Sequence, residues 1–270
     1  MTTAPIIPER KHRTVKVLVV GESWTTFSTH VKGIDSFTTS TYGEGIEPLR
    51  SELEIHGHEV VHLPSQQVAE GFPFTAEGLA EYQVIMVSDV GANSFYLSHR
   101  TFKLTQAVPD RLQLLHDWAY AGGGLVMIGG YLSFSGIEGK AAFGTSPLAP
   151  CLPVILSGND DRAERPAGVL GQVVLDSHPL AADVAGEWPP LLGYNRVTAR
   201  PEADVVATVD GADPLLVTWS YGSGRVTAYM SDCAPHWAPS VFLEWKHYST
   251  LWNNIVEWTG SSTVAAAPPS

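Results

Sequence analysis

Short apolar runs alternate with helix-spaced ones along the first half of the chain. Residues 15–20, Val-Lys-Val-Leu-Val-Val, are β-branched and apolar on both sides, the pattern of a strand covered on two faces. The run ends in Gly21-Glu22-Ser23-Trp24, and a long polar stretch rich in Ser, Thr and Gly leads to Tyr42-Gly43-Glu44-Gly45. Ile46, Leu49, Leu53 and Ile55 then recur at helical spacing over 46–56, with Gly57 as the stop. A second strand over 59–63 opens a right-handed βαβ unit. The alternation continues with a helix over 75–82, a strand over 84–89, a helix over 110–120 and a strand over 125–128. This pattern predicts an open, mostly parallel α/β sheet with helices on both faces.

The second half is less regular. Residues 147–165 read as loop, with a charged knot at Asn159-Asp160-Asp161-Arg162. Strand-like runs return at 172–175, 205–209 and 215–219. Tyr221-Gly222-Ser223-Gly224-Arg225 reads as a hairpin turn into a strand over 226–232. A final helix covers 248–258. The expected organisation is one domain over 14–260 with a C-terminal antiparallel hairpin extending its sheet, between flexible tails at 1–13 and 261–270.

Composition removes several function classes. The net charge of −12 argues against nucleic acid or an anionic membrane as partner, since both need clustered Lys and Arg. No run approaches the length of a membrane span, and residues 1–13 lack the apolar core of a signal peptide, so a cytoplasmic location is expected. Two cysteines, Cys151 and Cys233, are too few for a disulfide framework and do not form a zinc-type pair. No cofactor and no metal are expected; a small-molecule ligand and a homo-oligomer are.

Ligands of open parallel sheets bind beyond the carboxyl ends of the strands. That rule selects Glu22, Ser23 and Trp24 after the first strand, Ser88 and Asp89 after the third, Gly129, Gly130 and Tyr131 after the fourth, and Asp232 to Trp237 after the late strand. Gly129-Gly130 either aims backbone N–H groups at a ligand or serves only a tight turn. Asp232 and His236, four apart, suit a carboxylate-oriented general base; the alternative is a capping motif with His236 stacked on Trp237. Cys233 could be a nucleophile activated by His236, or a buried structural thiol. His30, Lys32 and Asp35 sit in a polar loop fit either to contact a ligand or to pair with each other. The knot at Asp160 to Arg162 is either a salt-bridged turn or a closing element. Trp24, Trp237, Trp245, Tyr131, Phe134 and Tyr194 suit a polyhydroxylated ligand, a subunit interface or plain core.

Six segments carry a resemblance. They are Gly21 to Trp24, His30 to Phe37, Ser88-Asp89-Val90-Gly91-Ala92-Asn93, Met127 to Gly136, Leu192-Gly193-Tyr194-Asn195 and Ser231 to Trp237. Together they resemble the putative glutamine amidotransferase-like family of bacterial cytoplasmic proteins, over residues 15–258. That family is similar to the trehalose-utilisation (ThuA-like) proteins. Both belong to the class I glutamine amidotransferase-like superfamily, which implies a flavodoxin-like sheet. In active glutaminases of the superfamily a Cys sits on the turn after a central strand, with a late His and Glu completing a triad. The matching turn here, Ile128-Gly129-Gly130-Tyr131, has no cysteine, and no His-x-Glu follows His236. Thioester chemistry is therefore not expected. The expectation is an enzyme on a small polar, carbohydrate-like molecule, with His236, Asp232 and Glu22 as acid/base groups. Ser23, Trp24, His30, Lys32, Asp35, Ser88, Asp89, Gly129, Gly130, Tyr131, Asn195 and Trp237 would contact the substrate. The alternatives are a non-catalytic binding or assembly protein and a residual amidase using Cys233.

Overall fold

The computed structural model describes residues 14–184 and 186–261 and places thirteen strands among them. They are β1 (Lys16–Gly21), β2 (Ser23–Lys32), β3 (Asp35–Glu44), β4 (Glu59–Leu63), β5 (Val84–Ser88), β6 (Gly124–Ile128), β7 (Val154–Ile155), β8 (Arg162–Val173), β9 (Glu187–Asn195), β10 (Thr198–Ala199), β11 (Asp204–Val209), β12 (Asp213–Tyr221) and β13 (Gly224–Tyr229). Nine form one sheet in the order β4-β1-β5-β6-β13-β12-β11-β8-β9. The first five pair in parallel. Numbered among themselves they run 2-1-3-4-5, the flavodoxin-like order, whose topological switch point lies between β1 and β5. The other four continue the sheet antiparallel.

Burial explains the division. Every residue of β5 and β6 is buried, as a central parallel strand between two helical layers must be. The helices Glu47–Ile55 and Tyr248–Thr259 pack on each other over one face, through Leu49, Leu53, Leu251 and Ile255 among others. The helix Arg111–Tyr120 covers the other face through Leu112, Leu115 and Ala119. Each such leucine or isoleucine side chain contributes about 1.5–3 kcal/mol on burial. Arg111 is also fully buried and donates to the carbonyls of Phe95, Val68, Ala69 and Ser94, joining that helix to two short neighbouring ones.

Three expectations change. The antiparallel extension has four strands, because residues 162–173 and 187–195 both join the sheet. Pro166, Pro189 and Pro190 break their alternation and hid them from a periodicity reading. The helix expected over 75–82 shrinks to Ala76–Leu79. The polar stretch after Ser23 is no loop: β2 and β3 pair antiparallel over ten residues each in a separate two-stranded ribbon. The tails expected at 1–13 and 261–270 lie outside the described residues, Ser261 excepted.

Candidate active site

The switch point is where the backbone departs furthest from ordinary geometry. β1 ends on Gly21 at φ 106°, and a Cβ there would lie 1.8 Å from the Ser88 carbonyl oxygen, so only glycine lets β1 and β5 approach. Glu22 (φ 51°) and Asp89 (φ 44°) follow in the left-handed region, uncommon for non-glycine residues. Strain at adjacent strand ends is a recurrent mark of functional sites. It turns both carboxylates toward a cavity of about 250 Å³ lined by Glu22, Trp24, Asp89, Tyr131, Asp232, Pro235 and His236. The ends of β1, β5, β6 and β13 therefore supply one cavity.

Glu22 and Asp232 form its floor. Both are buried, 2% exposed each, and carboxylate oxygens of the two lie within 4.8 Å of each other. Glu22 Oε2 accepts from Ser88 Oγ at 2.5 Å and from the Cys233 thiol at 3.6 Å. Asp232 Oδ1 accepts from the Ala234 N–H, and its Oδ2 faces His236 Nδ1 at 3.8 Å, beyond hydrogen-bond reach. Burial pushes the Glu22 carboxyl well above the usual carboxylate range, and the Asp232 and Asp89 charges push it further. Asp232 is raised well above its ordinary value by burial and by Asp89. Two buried, neighbouring carboxyls favour holding a proton over carrying two charges. Cys233 adds a third ligand-type atom within the same 4.8 Å. Its thiol is buried behind Glu22, and burial together with both carboxylates pushes it well above the ordinary thiol value. That environment suppresses the thiolate a nucleophile needs.

The turn after β6 is satisfied from within. The Gly129 N–H donates to the Tyr229 carbonyl and the Gly130 N–H to Asn195 Oδ1, while Asn195 Nδ2 returns bonds to the Gly130 carbonyl and to Asp161 Oδ1. Asp161 also accepts from the Ser135 and Gly136 N–H groups. Asp89 Oδ1 takes the Leu132 N–H at 2.6 Å. A Cβ on Gly130 (φ 152°) would meet the Asp89 side chain at 2.8–2.9 Å. The Asp89 carboxylate thus occupies the space a side chain at the turn would need. The expectation that the Gly129 and Gly130 amides aim at a ligand is corrected: both are spent on the protein. Burial raises Asp89, and the Leu132 N–H pulls it back.

Other expected contacts separate in the same way. Tyr131 edges the cavity with its ring 4.3 Å from His236, lies under the Arg162 guanidinium and donates to Glu164 Oε1. His236 is 41% exposed in its side chain and stands at the mouth, stacked on Trp237. Trp237 itself is buried and donates to Glu164 Oε2, so it backs the wall rather than facing the cavity. Ser88 backs Glu22, Ser23 holds Gln66 and the Ser65 N–H, and Asn195 lies behind the turn. In the charged knot Asp160 pairs with Arg162 at 2.9 Å and Asp161 turns inward. His30, Lys32 and Asp35 are corrected as cavity contacts. They cap the far end of the ribbon, with His30 eight residues beyond Glu22, roughly 25 Å at strand rise. His30 stacks on Phe37 there. Glu164, which holds the walls, was missed, and Asp161, expected in a salt-bridged turn or a closing element, instead faces inward to the turn: acidic residues in a stretch without clear periodicity give no sign of their direction.

The chain belongs to the putative glutamine amidotransferase family, whose model matches residues 16–261. It is similar to two proteins of known structure from Salmonella typhimurium. Cytoplasmic protein STM3548 is 42% identical, over 92% of this chain and 99% of its own, with a TM-score of 0.88. Cytoplasmic protein STM1381, from strain LT2, is 45% identical over 90% and 99%, with a TM-score of 0.87. A putative ThuA-like protein from Parabacteroides merdae shares the fold at 13% identity, covering 94% and 93%, with a TM-score of 0.54. No curated protein matches the sequence. Among the described residues no helix is long and apolar enough to cross a membrane.

Proposed function

We propose that the cavity carries out proton transfer on a small hydroxyl-bearing, carbohydrate-like molecule in the cytoplasm, with Glu22 and Asp232 as the acid/base pair. The observation that carries this reading is two buried carboxyls within 4.8 Å of each other on the floor of an open cavity, both raised by burial and by neighbouring acids. The pair holds one proton. The protonated member donates to a substrate oxygen while the ionised member accepts a proton from the substrate, so each turnover reverses the pair. The proton then passes between the two carboxyls, which restores the starting state, and His236 at the mouth exchanges it with solvent through a bridging water. The lining includes no Lys or Arg, which disfavours phosphorylated or carboxylated substrates. Trp24 and Tyr131 offer aromatic faces to a sugar ring. Glycoside hydrolysis places its carboxyls about 6.5–9.5 Å apart when inverting and about 5–5.5 Å when retaining, both wider than the 4.8 Å limit of this pair, so isomerisation or elimination fits better.

Incubation in D2O with aldoses, keto-sugars and sugar lactones, read by mass spectrometry, tests this. Deuterium should enter carbon positions with the wild type and not with Glu22→Gln or Asp232→Asn. Equal exchange by all three proteins would sink the assignment. The spent amides of the turn favour a second reading, a binding protein without turnover. It predicts a raised melting temperature with a sugar and no exchange. An amidase reading through Cys233 loses support from the burial and raised thiol described above.

A further inference from the structure

We infer that the β2–β3 ribbon is the surface through which this chain associates with a second copy of itself. Every residue from Trp24 to Tyr42 is exposed, and the ribbon packs chiefly at its root, against residues 65–67. A two-stranded ribbon is at best marginally stable alone in water, yet this one pairs regularly over ten residues a side. The register puts Phe27 and Val31 on one face, with Tyr42, and His30, Phe37, Lys32 and Asp35 on the other. Phe27 and Val31 are 72% exposed and Ile34 at the tip is 99% exposed. Single exposed apolar residues are ordinary, but Phe27, Val31 and Tyr42 gather on one face beside Ile34 at the tip, with Trp24 and Phe37 exposed on the other, and clustered apolar surface of this kind is what soluble proteins normally cover. Free strand edges are normally blunted by Pro or inward charges. Residues 23–43 contain no Pro, and their only Lys and Asp sit beside the turn.

Charge chooses the occupant. The chain carries −12 overall, while residues 23–43 carry one Lys, one Asp and one His. Two like-charged copies meet at least repulsion through a neutral surface. An anionic membrane gains nothing from it.

The test uses the full chain in light scattering after gel filtration, beside hydrogen–deuterium exchange at two concentrations. The wild type should have at least twice the chain mass, with ribbon amides protected at high concentration and faster on dilution. Phe27→Ser/Val31→Ser/Ile34→Ser should shift the mass to one chain. Should that variant fail to fold, Ile34→Cys serves in its place. Cys151 and Cys233 are buried, so a bismaleimide should then link two chains through the tip alone. A monomeric wild type overturns the inference, as do ribbon amides that exchange freely at every concentration. Binding of neutral or acidic lipid vesicles by a monomeric wild type overturns it as well.

Discussion

The turn after β6 and the carboxylate floor after β1 and β13 lie side by side and use their polar groups in opposite ways. At the turn each hydrogen-bonding group has found a partner inside the protein: Asn195 grips Gly130 from both sides, Asp161 gathers three donors, and Asp89 takes the Leu132 amide. On the floor, Asp232 Oδ2 has His236 only at 3.8 Å, and Glu22, held through Oε2 by Ser88 and Cys233, is raised in pKa together with Asp232. The first arrangement is stable and inert. The second costs stability and keeps protons available. The turn that matches the nucleophile turn of active glutaminases serves here as scaffold, and the carboxyls proposed to react sit on the neighbouring strands.

Removing a partner from the turn should give the largest effect. Asp161→Ala leaves the Ser135 and Gly136 N–H groups and Asn195 Nδ2 without an acceptor in a buried site. A loss of about 3–5 kcal/mol is expected from urea unfolding. A loss under about 1 kcal/mol would mean that water already serves these donors, and that turn and floor are less different than the geometry implies.

Placing a thiol on the turn is the next largest. Gly130→Cys forces a Cβ to within 2.8–2.9 Å of Asp89, at a φ of 152°. It should cost about 2–3 kcal/mol and release no ammonia from glutamine. Combining it with Asp89→Ala should recover part of the loss, a coupling that a double-mutant cycle measures. Additive losses would show that backbone strain, and not Asp89, excludes a side chain there.

Legibility from sequence follows the same divide. The parallel strands were readable because a strand buried on both faces must be apolar throughout, as Val84–Ser88 nearly is. The strand-end rule then gathered Glu22, Asp89, Tyr131, Asp232 and His236, which line one cavity. Direction was not readable. Nothing in Asn195 or Asp161 says that they face the turn, and nothing in Ser88 says that it backs Glu22; these choices are made by tertiary packing. The ribbon escaped because Ser/Thr-rich strands exposed on both faces lack the apolar alternation that marks a half-buried strand.

On the floor the sign should reverse. Glu22→Gln removes a buried acid and keeps its shape, so it should stabilise the protein at neutral pH by about 1–2 kcal/mol, or about 2–4 °C per kcal/mol in melting temperature. The pH dependence checks the cause. Glu22 and Asp232 bind protons more tightly folded than at their ordinary values of 4.5 and 3.8. Stability from this source is full below those values and declines as pH rises toward the raised folded values. The wild-type melting temperature should therefore fall across that window, and Glu22→Gln should flatten the fall. A destabilised Glu22→Gln would place Glu22 with the turn, as scaffold.

His236→Ala should produce the smallest change in stability and thereby isolates chemistry from structure. The ring is 41% exposed in its side chain and lies 3.8 Å from Asp232, too far for a hydrogen bond. Its other contacts are ring packing on Tyr131 and Trp237, both of which Glu164 holds independently. Urea unfolding should move by no more than about 0.5 kcal/mol. If the mouth histidine exchanges the pair's proton with solvent, deuterium incorporation should nonetheless slow, by roughly 10²-fold, the low end for a lost acid–base group. Added imidazole should restore part of the rate, because a diffusible base can enter where the exposed ring stood. A large stability loss without a rate change would reverse the reading of the mouth, making His236 part of the packed wall and leaving Glu22 and Asp232 to exchange protons with water directly.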